Sequence, residues 1–192
     1  MNLLALDLTN DIHYVAVKFS EREYTFEFSE NNRSQRNDWN KKIDEIYNKI
    51  PNFDLKEIDA NIYAAGPGSY TGARLAYTFF STLEYIHNIP FYAVSNLEAM
   101  GIESVDAVPF LANNNKDFFF RINEEDKHTN NFKDIQVLGK KLIGFDQNKD
   151  LVDIVIPKNV VVKNILEIFV KQNLANKEKY PNYIKELAYK KL

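Results

Sequence analysis

The chain contains no cysteine among its 192 residues. Disulfides, thiolate metal sites and a cysteine nucleophile are therefore excluded, and the usage is the one expected of a reducing cytoplasm. It also lacks a strong excess of either charge: 24 basic and 27 acidic side chains leave a net −3. Such a balance generates no field able to grip nucleic acid unaided, so any service to RNA is expected to run through a more basic partner. No stretch approaches the roughly 18 apolar residues of a membrane span, and no membrane partner is expected. The opening "MNLLALDLTNDIHYVAV" is broken by Asp7 and has no basic leader, so it reads as a buried strand rather than a signal peptide. His13, His87 and His128 have no ligand-like spacing, so no metal site is expected. No Ser-His-Asp constellation can be assembled, and no catalytic residue is assigned. There is no short-period repeat and no long low-complexity segment.

The rest is ordinary globular material, 45% hydrophobic and 27% charged, long enough to bury a core. Residues 3–8 read as a continuous buried strand, 12–19 and 22–29 as two more in an antiparallel meander, and 30–37 as a polar loop. From Asp38, Trp39, Ile43, Ile46, Tyr47 and Ile50 fall at helical spacing, and Pro51 stops the run. The opposite face carries Lys41, Lys42, Asp44, Glu45 and Lys49. Ile62–Ala65 forms a strand, followed by a glycine loop, a helix to about Ile86 and a strand over Phe91–Val94. Ser95 and Glu98 form a capping box before an apolar run. The first half is therefore β-β-β-α-β-α-β-α. In the second half, "AVPFLA" and "DFFFRI" read as a strand pair, 123–134 as loop, "IQVL" and "VDIVIP" as strands, and 159–174 as a helix. "YPNYIKELAYKKL" reads as a turn and a short helix. This order looks like a cut-down repeat of the first half.

Two stretches carry the functional weight. In "AAGPGSYTGAR", Gly66-Pro67-Gly68 fixes a sharp turn and Ser69 or Thr71 is placed to cap the helix. The spacing matches neither a dinucleotide fingerprint nor a Walker loop. Free amides there could hold an anion, so a structural turn and a phosphate contact both stay open, with Gly66, Gly68, Ser69 and Thr71 as the contact residues. Asp7 and Thr9, at the tip after the first strand, either meet phosphate and metal-bound water or close an Asx turn. The helix from Ala73 bears two apolar stripes, Leu75-Phe79-Leu83-Ile86 and Ala73-Tyr77-Phe80. A helix apolar on two sides is buried on two sides; one faces the sheet, the other the Trp39–Ile50 helix or a partner subunit.

In order and spacing, "LLALDLTN", "AAGPGSYTGARLAYTFFSTLEY", "NIPFYAVSNLEAM" and "YPNYIKELAYKKL" resemble the TsaB (YeaZ) family. Gly66, Pro67, Gly68, Ser69, Tyr70, Thr71, Gly72 and Arg74 all match its central signature, and the resemblance covers residues 1–104 best. It implies an α/β actin-like (ASKHA, ribonuclease H-like) fold of two lobes, with residues 1–106 as the interface lobe and 107–192 as a shortened second lobe. It implies a cytoplasmic, non-catalytic subunit of the complex that makes N6-threonylcarbamoyladenosine at position 37 of tRNAs. Such a subunit binds and stabilises the catalytic TsaD, meets TsaE within the complex, touches tRNA only indirectly, and forms a homodimer when TsaD is absent. The expected partner surface is Trp39, Ile43, Ile46, Tyr47, Tyr70, Ala73, Arg74, Tyr77 and Phe80. No cofactor is expected on the chain alone, with ATP or ADP reserved for the complex interface. Three places depart from the family pattern: Arg33–Trp39 replaces its histidine-led approach to the first helix, Ala112–Lys116 its Asp-Ala-Arg-like segment, and Tyr183-Ile184-Lys185 its Tyr-x-Arg. The other readings are an independent ATP-binding phosphotransferase or ATPase of the same fold, and a metallopeptidase, which the lack of metal ligands disfavours.

Overall fold

The computed structural model describes residues 1–29, 38–113, 116–172 and 179–185. Two five-stranded sheets lie at its centre. The first runs β3-β2-β1-β4-β5 and the second β10-β9-β6-β7-β8. Numbered within each half, both orders are third, second, first, fourth, fifth strand. The strands of the first sheet are β1 (Leu3–Asp7), β2 (His13–Phe19), β3 (Arg22–Phe28), β4 (Ala60–Ala64) and β5 (Phe91–Val94). Those of the second are β6 (Val108–Asn113), β7 (Asp117–Ile122), β8 (Glu125–Thr129), β9 (Leu142–Phe145) and β10 (Ile154–Ile156). In each half the first three strands form an antiparallel meander and the last two add in parallel. The β2–β3 and β7–β8 turns are alike: Ser20-Glu21 and Asn123-Glu124 all have positive φ, the primed-turn twist that suits a two-residue hairpin.

Five helices complete the layers: α1 (Trp39–Lys49), α2 (Tyr70–His87), α3 (Asn96–Gly101), α4 (Lys133–Gln136) and α5 (Val160–Lys171). β1 reads as an unbroken apolar run because both its faces are covered. Leu4 and Leu6 point to a core shared with α1 and α2, Leu3 and Ala5 to a second core shared with α3 and α5. That second core lies between the two sheets and takes Leu111, Phe119, Ile143 and Phe145 from the far side. The outer face of the second sheet buries Phe110, Phe118 and Phe120 with Ile135 of α4.

The two halves differ in the link between their last two strands. Where α2 links β4 to β5 with 18 residues, β9 and β10 are joined by a single 3-10 turn over Asp146–Asn148 and a short loop. Four expectations are corrected. Within 123–134, read as loop, lies strand β8. "IQVL" is no strand; its first residues belong to the short helix α4. β9 was not anticipated. Lys42, placed on the solvated face, is 2% exposed, with its ammonium over the Phe28 and Trp39 rings and 3.3 Å from His13 Nδ1. The expected 30–37 loop, most of the Arg33–Trp39 departure, the middle of the Ala112–Lys116 turn and the C-terminal helix lie outside the described residues.

Candidate functional site

The glycine loop leaves β4 at Ala65 and enters α2 at Ser69. Gly66 has φ +106°, the Gly66–Pro67 peptide is cis and Gly68 has φ +157°. A side chain on Gly68 would strike Thr9, and a Cβ on Gly72 would lie 1.7 Å from the Leu8 carbonyl oxygen. The glycines therefore let the loop and the first turn of α2 press onto the tip of β1. The contact is sewn by hydrogen bonds. The Ser69 amide donates to the Thr9 carbonyl at 2.8 Å. The Gly66 amide donates to Asn96 Oδ1 at 3.0 Å, and Asn96 Nδ2 donates to Thr9 Oγ1 at 2.6 Å. Thr9 in turn donates its amide and hydroxyl to Asp7 Oδ1, at 2.9 and 2.5 Å. Asn10 Nδ2 donates to Asp7 Oδ2 at 2.9 Å. The hydrogen bond from the Thr9 amide to the Asp7 side chain closes an Asx turn. Asp7 has no exposed surface. Burial pushes its carboxyl above the usual range, against the pull of Thr9, Asn10 and Lys158.

Ser69 caps α2, accepting from the Gly72 amide at 3.3 Å. Thr71 lies inside the first turn on the exposed side. The inner face of α2, with Ala73, Ala76, Phe80 and Leu83, is buried. Its outer face carries Thr71, Thr78, Ser81, Thr82, Tyr85 and Ile86. Ser81 and Thr82 both donate to the Thr78 carbonyl, so their hydroxyls turn back on the helix and present carbon outward. Tyr85 is 89% exposed. α1 lies alongside, with Trp39 stacked on Phe79 at 4.5 Å between ring centres.

A strap of residues 179–185 crosses the other flank of α2. The Tyr63 hydroxyl donates to the Lys179 carbonyl at 2.7 Å, and Lys179 Nζ donates to Glu84 at 2.5 Å. Tyr180 meets Tyr77, and Tyr183 meets Tyr70. Arg74 Nε donates to the Tyr183 hydroxyl at 2.9 Å, with its guanidinium over the same ring. The Asn182 amide donates to the Ala65 carbonyl at 2.9 Å. Beyond α2 the strap reaches the second sheet. Asn182 Nδ2 donates to Asp126 at 2.7 Å and Lys185 Nζ to Asp117 at 2.7 Å. Asp126 also accepts from Ser95 and, at 2.6 Å, from Arg121.

Between the sheets a cleft of about 470 Å³ opens, lined by Thr9, Gly68, Ser69, Asn113, Gln147 and Lys158 among others. Lys158 bridges it to Asp11 at 2.6 Å, and that ammonium holds the Asp11 carboxyl below its usual range. Among the described residues no three His, Asp or Glu side chains gather as a metal site would require.

Solved structures match this arrangement nearly end to end. YeaZ from Pseudomonas aeruginosa matches with TM-score 0.65 and 15% identity, over 95% of this chain and 99% of that one. The chain has the YeaZ fold. A second structure, of an uncharacterized protein with similarity to peptidase YEAZ from Pseudomonas aeruginosa, matches at TM-score 0.68 and 14% identity, over 96% and 99%. The actin-like (ASKHA) α/β architecture expected from the sequence is thus the one present. A family model described as TsaD, tRNA N6-adenosine threonylcarbamoyltransferase, matches residues 30–110, a span holding α1, the glycine loop and α2. No curated protein matches the sequence.

On this YeaZ frame the residues expected at a partner surface separate into three groups. Ile46, Ala73 and Phe80 lie in the core under α1 and α2, so their side chains face this chain's own sheet. Tyr70, Arg74 and Tyr77 are brought together along the strap, the two tyrosines half-buried and Arg74 exposed. Trp39 and Ile43 are half-buried, and Tyr47 is exposed with its hydroxyl accepting from the Leu55 amide at 3.1 Å. Of the phosphate candidates, Thr9, Gly68 and Ser69 line the cleft, while Asp7 lies sealed behind Thr9. Sequence reasoning missed Asn96, Asp126, Lys158 and the strap tyrosines. Apart from Arg121 to Asp126, five residues apart, their contacts span 30 or more residues of chain, and no local pattern marks such a pairing.

Proposed function

We propose that the chain is the non-catalytic subunit of the machinery that makes N6-threonylcarbamoyladenosine in tRNA, and that it docks on a TsaD-family subunit through the outer face of α2 with α1 beside it. One observation carries this reading. An 18-residue helix on the outside of the fold shows solvent a surface of small residues with inward-turned hydroxyls, ending in the bare ring of Tyr85. Helices pack along such surfaces, and an exposed tyrosine ring is a typical anchor once a partner buries it. The TsaD-family match over 30–110 supports the choice of partner, since it covers these two helices. In this reading a TsaE-type ATPase joins through the complex, tRNA contact is indirect, the homodimer forms when the TsaD partner is missing, adenine nucleotide belongs to the complex interface, and the site of action is the cytoplasm. The test is capture of the TsaD homologue from native lysate, with Thr78→Arg and Tyr85→Glu as variants. Both positions are exposed, so the fold is retained while capture is lost. Undiminished capture by both variants refutes the assignment. Ala73→Glu is no test, because Ala73 is 1% exposed and the change places a charge in the core.

A second reading, an independent ATP-binding phosphotransferase or ATPase, draws on the cleft with Ser69 and Lys158 on its walls. It is the weaker one, because Asp7, the carboxylate such chemistry would use for a metal-bound water, is enclosed and committed to Thr9 and Asn10. Calorimetry with Mg-ATP on the isolated chain separates the two. Micromolar binding with turnover favours the enzyme.

A further inference from the structure

From the strap contacts we infer that the docking face is composite: residues 179–185 form a fixed part of it, and partner binding depends on the strap being seated. The inference rests on the proposed docking through α2 and adds what completes that surface. Three observations carry it. First, Tyr70, Arg74 and Tyr77 do not meet solvent as a bare helix flank; Tyr180 and Tyr183 lie on them. Any partner that reaches along α2 toward its N-terminus therefore meets strap side chains. Second, the strap is built in rather than draped. Pro181 is buried, and the Tyr63 hydroxyl and Ala65 carbonyl, both on residues of the core, spend their hydrogen bonds on strap backbone. Lifting the strap would break both bonds and uncover Pro181 together with the ring faces of Tyr70 and Tyr77. A strap so held stays seated during docking. Third, what the seated strap shows to solvent is Tyr180 at 64% exposure and Tyr183 at 49%, flanking exposed Arg74. Tyrosine and arginine are the residue types that dominate interface energetics, and Arg74 is already oriented by the Tyr183 hydroxyl and ring.

The far end of the strap is tied to the second sheet by Asn182 to Asp126 and Lys185 to Asp117. Both ties end on the second sheet and neither is made to an α2 side chain, so they can be cut without substituting one, though Lys185 and Asp117 lie within electrostatic reach of Tyr70. The experiment uses the full chain and the purified TsaD homologue. Asn182→Ala/Lys185→Met removes both side-chain ties and leaves Tyr180, Tyr183 and α2 as they are. Hydrogen exchange at the Asn182 amide, which donates to the Ala65 carbonyl, reports seating directly. Faster exchange there, with affinity for the TsaD homologue about tenfold weaker, is the expected result, since affinity scales with the seated fraction. Tyr180→Ala and Tyr183→Ala, with exchange elsewhere unchanged, are each expected to weaken binding about tenfold or more. If the tie-cut variant exchanges faster yet binds equally well or better, the strap is a bystander or a cover and the inference fails. If its exchange is unchanged, the ties do not hold the strap and the inference also fails. A wild-type chain that does not bind the TsaD homologue at all refutes the docking reading itself, a different outcome from both.

Discussion

Asn61 is the second residue of β4 and has no exposed surface, and neither its side-chain oxygen nor its nitrogen has a hydrogen-bond partner among the described residues. A buried amide in that state costs about 1–3 kcal/mol relative to a group that needs no partner. Asn61→Val keeps a strand-favouring shape and removes both orphaned atoms. It is expected to raise unfolding stability by about 1–3 kcal/mol, read from urea denaturation; a loss of stability would mean the amide has a role the fold does not reveal. Asp7 gives a prediction with a sign. Burial holds its folded pKa above the 3.8 of a free aspartate, so between those two values the folded chain binds more protons than the unfolded one. This group's contribution is then most favourable below about pH 4 and declines as pH rises to the folded value. Asp7→Asn removes that decline, so variant stability measured relative to wild type must climb as pH is raised above 4 and level only once the folded value is passed. Variant stability that falls relative to wild type as pH rises from 4 would place the folded pKa below 3.8. Residues of this kind were only half legible. The Asx reading of Asp7 followed from its place after a buried strand, but a buried Asn61 or Lys42 is a tertiary fact that helix and strand periodicity cannot announce.

At the scale of elements, legibility followed length and amphipathicity. α1 and α2 declare themselves by apolar spacing, by the Ser69 cap of α2 and by Pro51 after α1, while the Asp38 cap and the left-handed Asn88 appear only in the structure. β8 does not, because "EDKHT" is an edge strand whose residues are all exposed or half-buried, and its turn is made by Asn123-Glu124 without the glycine that usually signals one. β9 is four residues long and includes Gly144, whose Cβ would lie 2.9 Å from the Phe110 carbonyl oxygen. The strap is the extreme case: extended, aperiodic, and defined wholly by what it touches. Its tie to the second sheet has a predictable acid limit. The Lys185 ammonium, with His128, holds the Asp117 carboxyl below the usual range. The stability that this pair contributes is full above the ordinary aspartate pKa and is lost as pH falls through the lower folded value. Exchange protection of the Asn182 amide, corrected for intrinsic rate, should therefore stay level down to about pH 4 and fall only below it. In Asp117→Asn the protection is reduced already at pH 7; undiminished protection in that variant would mean that the Lys185 tie does not hold the strap.

At the scale of the molecule, the duplication visible in the strand orders does not make two independent halves. α5 comes from the second half of the chain yet packs on β1, β2 and β4, while α3 comes from the first half and packs on β6, β7 and β9. Leu3, Ala5, Ala16 and Ile62 of the first sheet are covered from that side by Val161, Val162, Ile165 and Ile168. Without α5 these side chains, the backbone of a strand buried on both faces, and the inner side of β4 would meet water. At about 25 cal/mol per Å² of apolar surface, uncovering even a few hundred Å² removes stability comparable to the whole 5–15 kcal/mol of a typical domain. The fragment 1–106, which carries all of the proposed docking helices, is therefore expected not to fold alone. Its far-ultraviolet circular dichroism should lack the helical signal of α1 and α2, and its amides should exchange without protection. Adding 107–192 in trans should restore both. A fragment 1–106 that folds cooperatively by itself would show that the central core is dispensable to the first sheet, and the coupling between the docking face and the second half, through α5 on one side and the strap on the other, would then have to be given up.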